Sequence, residues 1–226
     1  MNGFVPRFGP KKFRLLVGLS FFPYSLMNGC YVLIGSLLAP TVHYDRMAGM
    51  AIVYLLAVGV SAHSLDALAP NKPWGAFLSR RQLVLMAVGS LVPALILGLY
   101  YALTFAPLLL MIGVAELFFL LAYNLEFFGG KFHTDLWFAF SWGFLPVLAG
   151  FVVQTNTVSF VSLAGALFGF ATSSVEINAS RPYRAMKRDP ASAGSPVAAR
   201  LEAVLKGIVA TVIAAALFLL LHSVVA

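Results

Sequence analysis

The sequence predicts an all-α, polytopic membrane bundle of about seven transmembrane helices with its N-terminus in the cytoplasm. Three observations lead there. Of 226 residues, 61% are hydrophobic and only 10% charged, whereas a soluble domain carries roughly 25% charged residues to cover its water-facing surface. The mean hydropathy is +0.91, and the apolar stretches approach or exceed the ~20 residues that cross a hydrocarbon core. No alternating ten-residue pattern of a membrane barrel is present, so helices remain as the way to satisfy the backbone in lipid.

The expected spans lie near 15–39, 47–66, 82–101, 107–125, 136–153, 157–177 and 204–225. The first is too long, and wrongly flanked, for a cleaved signal peptide. Pro93 and Pro146 fall inside spans, where neighbouring helices can satisfy the freed carbonyls. Seven crossings gather the N-terminal tail and the loops near 67–81, 126–135 and 178–203 on one face. Fourteen of the fifteen basic residues sit there, from Arg7 to Lys206, and Arg46 alone lies opposite. The positive-inside rule puts that face in the cytoplasm and the C-terminus outside, as expected for a prokaryotic cytoplasmic membrane. The net charge of +7 therefore reflects topology rather than a nucleic-acid partner.

The chain reads as one integral membrane domain over 1–226, with a basic tail at 1–14 and a basic, partly mobile loop at 178–203. Arg181, Arg184, Lys187 and Arg188 precede its Pro/Ser/Gly/Ala stretch and suit either topology determination or anionic headgroups. The single cysteine, Cys30, excludes a disulfide framework and a thiolate metal site.

Ionisable groups in a membrane usually face a bundle interior or a cavity. His63 and Asp66 are three apart and share a face of the second span. Thr172, Ser173, Glu176 and Ser180 form a polar stripe on the sixth, and Glu116 and Tyr123 face the same way on the fourth. Tyr24, Asn28, Tyr31 and Gly35 line one face of the first. Each has an ordinary use as well. Asp66 and Glu176 suit helix ends at the interface, Glu116 reads equally as an interhelical bond or a substrate contact, and the Tyr24–Gly35 stripe suits helix packing. What joins Asp66 and Glu176 is a common membrane face, each followed by a basic loop. Carboxylates beside Lys/Arg are what Mg²⁺-diphosphate binding needs, since Mg²⁺ takes one or two carboxylates together with phosphate oxygens.

Three stretches carry a family resemblance: 22–40 (FPYSLMNGCYVLIGSLLAP), 61–75 (SAHSLDALAPNKPWG) and 122–131 (AYNLEFFGGK) followed by 142–155 (WGFLPVLAGFVVQT). Together they resemble, over roughly 15–185, the UbiA-type intramembrane prenyltransferases, nearest the dihydroxynaphthoate (menaquinone-pathway) branch. Of the family's first motif, N-x-x-x-D-x-x-x-D, only Asp66 remains, with Ala62 and Pro70 at the flanking positions. Its second, D-x-x-x-D, reads Glu176 to Ser180, with Asn178 between. The resemblance implies transfer of a polyprenyl group from its diphosphate to an aromatic, quinone-precursor or lipid acceptor. It implies Asp66 and Glu176 as catalytic residues holding Mg²⁺ with Asn178, and Lys72, Lys131 and Arg181 gripping diphosphate. Tyr123, Asn28 and His63 would line the tail or acceptor pocket. Fewer motif acids than the family carries, and seven helices against its usual nine, support a second reading. In that reading the chain is a catalytically degenerate member binding isoprenoid lipid, or a scaffold subunit whose membrane-protein partner supplies further helices.

Overall fold

The computed structural model describes residues 8–19, 22–68 and 78–225, and within them the chain is helical without strands. We label the main helices α1 (Lys11–Leu19), α2 (Phe22–Leu37), α3 (Tyr44–Asp66), α4 (Arg80–Thr104), α5 (Leu109–Asn124), α6 (Asp135–Thr155), α7 (Phe160–Arg188) and α8 (Pro196–Val225). Five of them, α3, α4, α6, α7 and α8, are long and apolar enough to cross a membrane. The protein is a helical membrane bundle. α2 and α5, in the expected first and fourth spans, have 16 residues each. At 1.5 Å per residue that is about 24 Å, short of a ~30 Å hydrocarbon core.

The helix starts are chemically marked. Ser79 accepts from Gln82 N–H while the Gln82 side chain accepts from Ser79 N–H, a reciprocal cap that opens α4. Ser159 and Ser162 do the same for α7. Thr134 caps α6, and Ser195 caps α8, with Pro196 preset at its first position. Between α5 and α6 the chain turns through left-handed Glu126, Phe128, Gly129 and Gly130, a conformation that suits the glycines and strains the other two.

α2 and α6 form the centre. Gly35 lies so close to the Val147 carbonyl, and Gly150 to the Val32 carbonyl, that a Cβ on either would collide with backbone. Ser36 Oγ donates to Gly150 O at 2.9 Å across the same contact. Gly143 and Gly169 bring α6 equally close to α7. Small residues let membrane helices approach and pack by van der Waals contact, since lipid supplies no hydrophobic drive. The periphery is lipid-like instead: Leu85, Ile96, Met111, Val114 and Phe218 are all largely exposed.

Two helices are locally widened and underwound. α3 is π-helical over Leu55–Ala62 and α6 over Phe140–Phe144. A π turn shifts the backbone ladder and leaves carbonyls to be satisfied otherwise. Here side chains do it: His63 Nδ1 donates to Val58 O at 2.8 Å, and Asn28 Nδ2 donates to Trp142 O at 2.8 Å.

Candidate functional site: a polar cavity beside the two π segments

Both π segments border one cavity of about 150 Å³. α3 contributes Val58, Ala62, His63 and Asp66; α5 contributes Glu116, Phe119, Leu120, Tyr123 and Asn124. Phe138, Ser141 and Trp142 come from α6, and Glu176, Ile177, Ser180, Tyr183 and Arg184 from α7. Tyr24 of α2, His133, and Glu202 and Leu205 of α8 complete the wall. One side is aromatic. Tyr123 stacks on His133 with ring centres 4.2 Å apart, and Phe138 stacks on Trp142 at 5.2 Å. His63 meets the Trp142 ring edge-on at 5.8 Å, so the His63–Val58 bond that closes the π turn also orients this wall.

Of the residues expected at a site, the structure brings together Asp66, Glu176, His63 and Tyr123. Glu176 is 4% exposed, and its Oε2 has no hydrogen-bond partner among the described residues. A buried acceptor in that state carries an uncompensated desolvation penalty that a ligand can relieve. Arg184 lines the same cavity and brings a guanidinium to the wall that Glu176, Tyr24, Tyr123 and His63 share.

The other expected residues stand elsewhere. Asn178 is exposed and donates to Ser174 O at 2.8 Å. Two residues from Glu176, it is about 200° around the helix and faces away from the cavity. Asn28 is fully buried in the α2–α6 contact and is not part of the cavity wall. Arg181 lies beside the cavity, held by Asp135 at 2.8 Å and donating to His133 O at 3.4 Å. Lys131 is exposed on the α5–α6 loop and is absent from the wall. Lys72 lies outside the described residues.

Arg184, Tyr183, Trp142 and Glu202 were not expected in the site. Arg184 was legible: Glu176, Ser180 and Arg184 follow at successive i,i+4 steps, so the polar stripe of α7 runs one turn further than Ser180. Trp142 and Glu202 enter only through the packing of α6 and α8. Glu202 accepts from Tyr183 Oη at 2.8 Å and from Lys206 Nζ at 2.7 Å, pinning α8 to α7 beside the cavity.

Among the described residues no three His, Cys, Asp or Glu side chains form a ready-made metal cluster. Fold and cavity together define a helical integral membrane protein with a carboxylate-bearing internal site. No protein-family model, curated protein or solved structure matches this chain.

Proposed function

We propose that the chain is a UbiA-like prenyltransferase, moving a polyprenyl group from its diphosphate to a small aromatic or lipid acceptor. The observation that carries this reading is that Asp66 and Glu176, from two separate helices, line one cavity with Arg184. The reading takes α2 and α5 as two further crossings, giving seven with the N-terminus in the cytoplasm of a prokaryote.

Two carboxylates and substrate phosphate oxygens meet the coordination habit of Mg²⁺, and the unpartnered Glu176 Oε2 fits that use. Asp66 and Glu176 would hold the ion; Asn178, turned outward, would not. Mg²⁺ bound there would neutralise charge on the departing diphosphate. Arg184 supplies the protein's own cation for that anion. Among the described residues it donates one hydrogen bond, from Nε to Ser180 O at 3.4 Å, which leaves most of its donors for a ligand. The stacked Tyr123–His133 and Phe138–Trp142 pairs give a flat, water-excluding wall against which a ring or an allylic carbon can lie. A cavity near 150 Å³ takes about a benzene-sized group, so it suits the reacting head, with the tail left to the lipid-facing helix surfaces.

One observation favours the second reading, a degenerate isoprenoid-binding or scaffold protein: with Asn178 outside, each helix offers the cavity a single motif carboxylate. Titration of detergent-purified protein with geranylgeranyl diphosphate, with and without Mg²⁺, separates the two. Prenyl transfer predicts Mg²⁺-dependent binding that disappears in an Asp66→Asn, Glu176→Gln double variant. Binding indifferent to both the ion and the substitutions would leave lipid binding or scaffolding as the function.

A further inference from the structure

Glu116 belongs to neither motif of the family resemblance, yet it lines the same cavity. It stands in α5 among Phe119, Leu120 and, across the gap, Val58. Its Oε1 accepts from Tyr54 Oη at 2.8 Å. Among the described residues Oε2 has no hydrogen-bond partner, and it is not sealed from open space. A carboxyl is an expensive partner for a tyrosine inside a membrane. Glutamine, or a backbone carbonyl, would satisfy that hydroxyl with no charge to desolvate. Purely structural use therefore explains one oxygen of Glu116 and not the other.

Its position along the helix gives the second oxygen a use. Glu116 and Tyr123 are seven residues apart on one face of α5, about 10 Å along its axis. Tyr123 lies at the Arg184 end of the cavity. A substrate with its anionic head at Arg184 would direct its reacting carbon inward, toward Glu116.

We propose that Glu116 is the base that receives the proton released in each transfer, an inference that rests on the prenyl-transfer reading above. The allylic carbon–oxygen bond breaks and its electron pair leaves with the diphosphate. A new bond forms between that carbon and the acceptor, whose O–H or ring C–H electron pair remains with it. The displaced proton passes to the Glu116 carboxylate and returns to solvent when the products leave. Tyr54, donating to Oε1, is the positioning residue that aims Oε2 at the cavity.

The test uses the full chain in liposomes, geranylgeranyl diphosphate, and a hydroxyarene such as 1,4-dihydroxynaphthalene. Glu116→Gln keeps an acceptor for Tyr54, so the fold is retained. Turnover should fall about 10²–10⁴-fold, the usual contribution of a general base, while diphosphate binding stays as in the wild type. An infrared difference spectrum, recorded on adding the hydroxyarene alone, should show a carboxyl change in the wild type that vanishes in Glu116→Gln. Tyr54→Phe should lower turnover by less, again without weakening diphosphate binding. Wild-type turnover in Glu116→Gln, or a carboxyl change that persists in it, overturns the proposal while leaving prenyl transfer standing. If the wild type itself transfers nothing, the underlying reading fails, and with it the assignment of Glu116 as a base. The infrared signal then decides separately whether Glu116 meets a ligand.

Discussion

Arg184 and Arg181 differ by three positions and occupy different environments. Arg181 is held by Asp135 and the His133 carbonyl, whereas Arg184 lines the cavity. A hydrogen bond to a charged group contributes about 1.5–3 kcal/mol, so Arg184→Gln should weaken diphosphate binding about 10- to 100-fold. Arg181→Gln removes an exposed ion pair, which is worth about 0–1 kcal/mol, and should change the same affinity by less than about fivefold. Calorimetric titration of both variants compares them directly. Asn28 illustrates a residue whose value lies in packing. Asn28→Ala would leave Trp142 O without its donor, and would also delete Oδ1, a buried acceptor that has no partner among the described residues. The two effects oppose each other, so the net loss should be about 1 kcal/mol, at the low end for an unpaired buried group. The thermal midpoint in detergent measures it. Both residues show why type and spacing alone mislead: a basic or amide side chain near a motif can be consumed by a neighbour that only the fold supplies.

At the scale of the element, the α2–α6 seam is set by glycine. Gly35→Ala or Gly150→Ala would drive a Cβ into backbone on the facing helix. Overpacking of this kind costs about 1–3 kcal/mol. Gly89 and Gly207, on α4 and α8, have none of the described residues' atoms within 4 Å of an added Cβ. Alanine there should be neutral or stabilise by up to about 1 kcal/mol, because glycine is the weaker helix former. Thermal unfolding of the four variants should sort them by location, and equal effects would contradict the seam. The stripe Tyr24, Asn28, Tyr31, Gly35 was visible in the sequence as one helical face. Its members divide the work: Tyr24 faces the cavity, Asn28 holds the α6 π segment, Tyr31 Oη is within 2.7 Å of Thr172 Oγ1, and Gly35 admits α6. The π segments themselves carry no such signature. They arise where α3 and α6 must turn side chains toward a shared space while their displaced carbonyls find His63 and Asn28 as donors.

Across the whole molecule, the helix ends opposite the cavity are tied by polar contacts that bypass the lipid-facing surfaces. Gln154 bonds both backbone groups of His43, and Asn156 accepts from Leu108 N–H. Arg46, the basic residue isolated from the others, lies 4.2 Å from the Phe105 ring centre. Asp66 and Arg184 line the cavity at or near the other ends of α3 and α7. The charge asymmetry predicts that this end faces the cytoplasm. With Cys30 replaced by alanine, Gly194→Cys should react with an impermeant thiol reagent in inside-out vesicles, and Val158→Cys in right-side-out vesicles. The reverse pattern would invert the topology and place the cavity on the outer face.

Composition and apolar run length by themselves determined that this chain is a helical membrane protein, because a backbone in hydrocarbon has few ways to satisfy its own polar groups. Helical spacing likewise paired His63 with Asp66 and Glu176 with Ser180, since residues three and four apart must share a face. Which faces then met was decided by tertiary structure. Close approach at Gly35, Gly150 and Gly143, together with the π turns, set how α2, α3, α6 and α7 are rotated about one another. That rotation gathered Asp66, Glu176, Glu116 and Arg184 into one cavity and left Asn178 outside it. Periodicity specifies a direction around one helix axis, whereas a site requires several axes to be placed relative to one another, and packing alone places them.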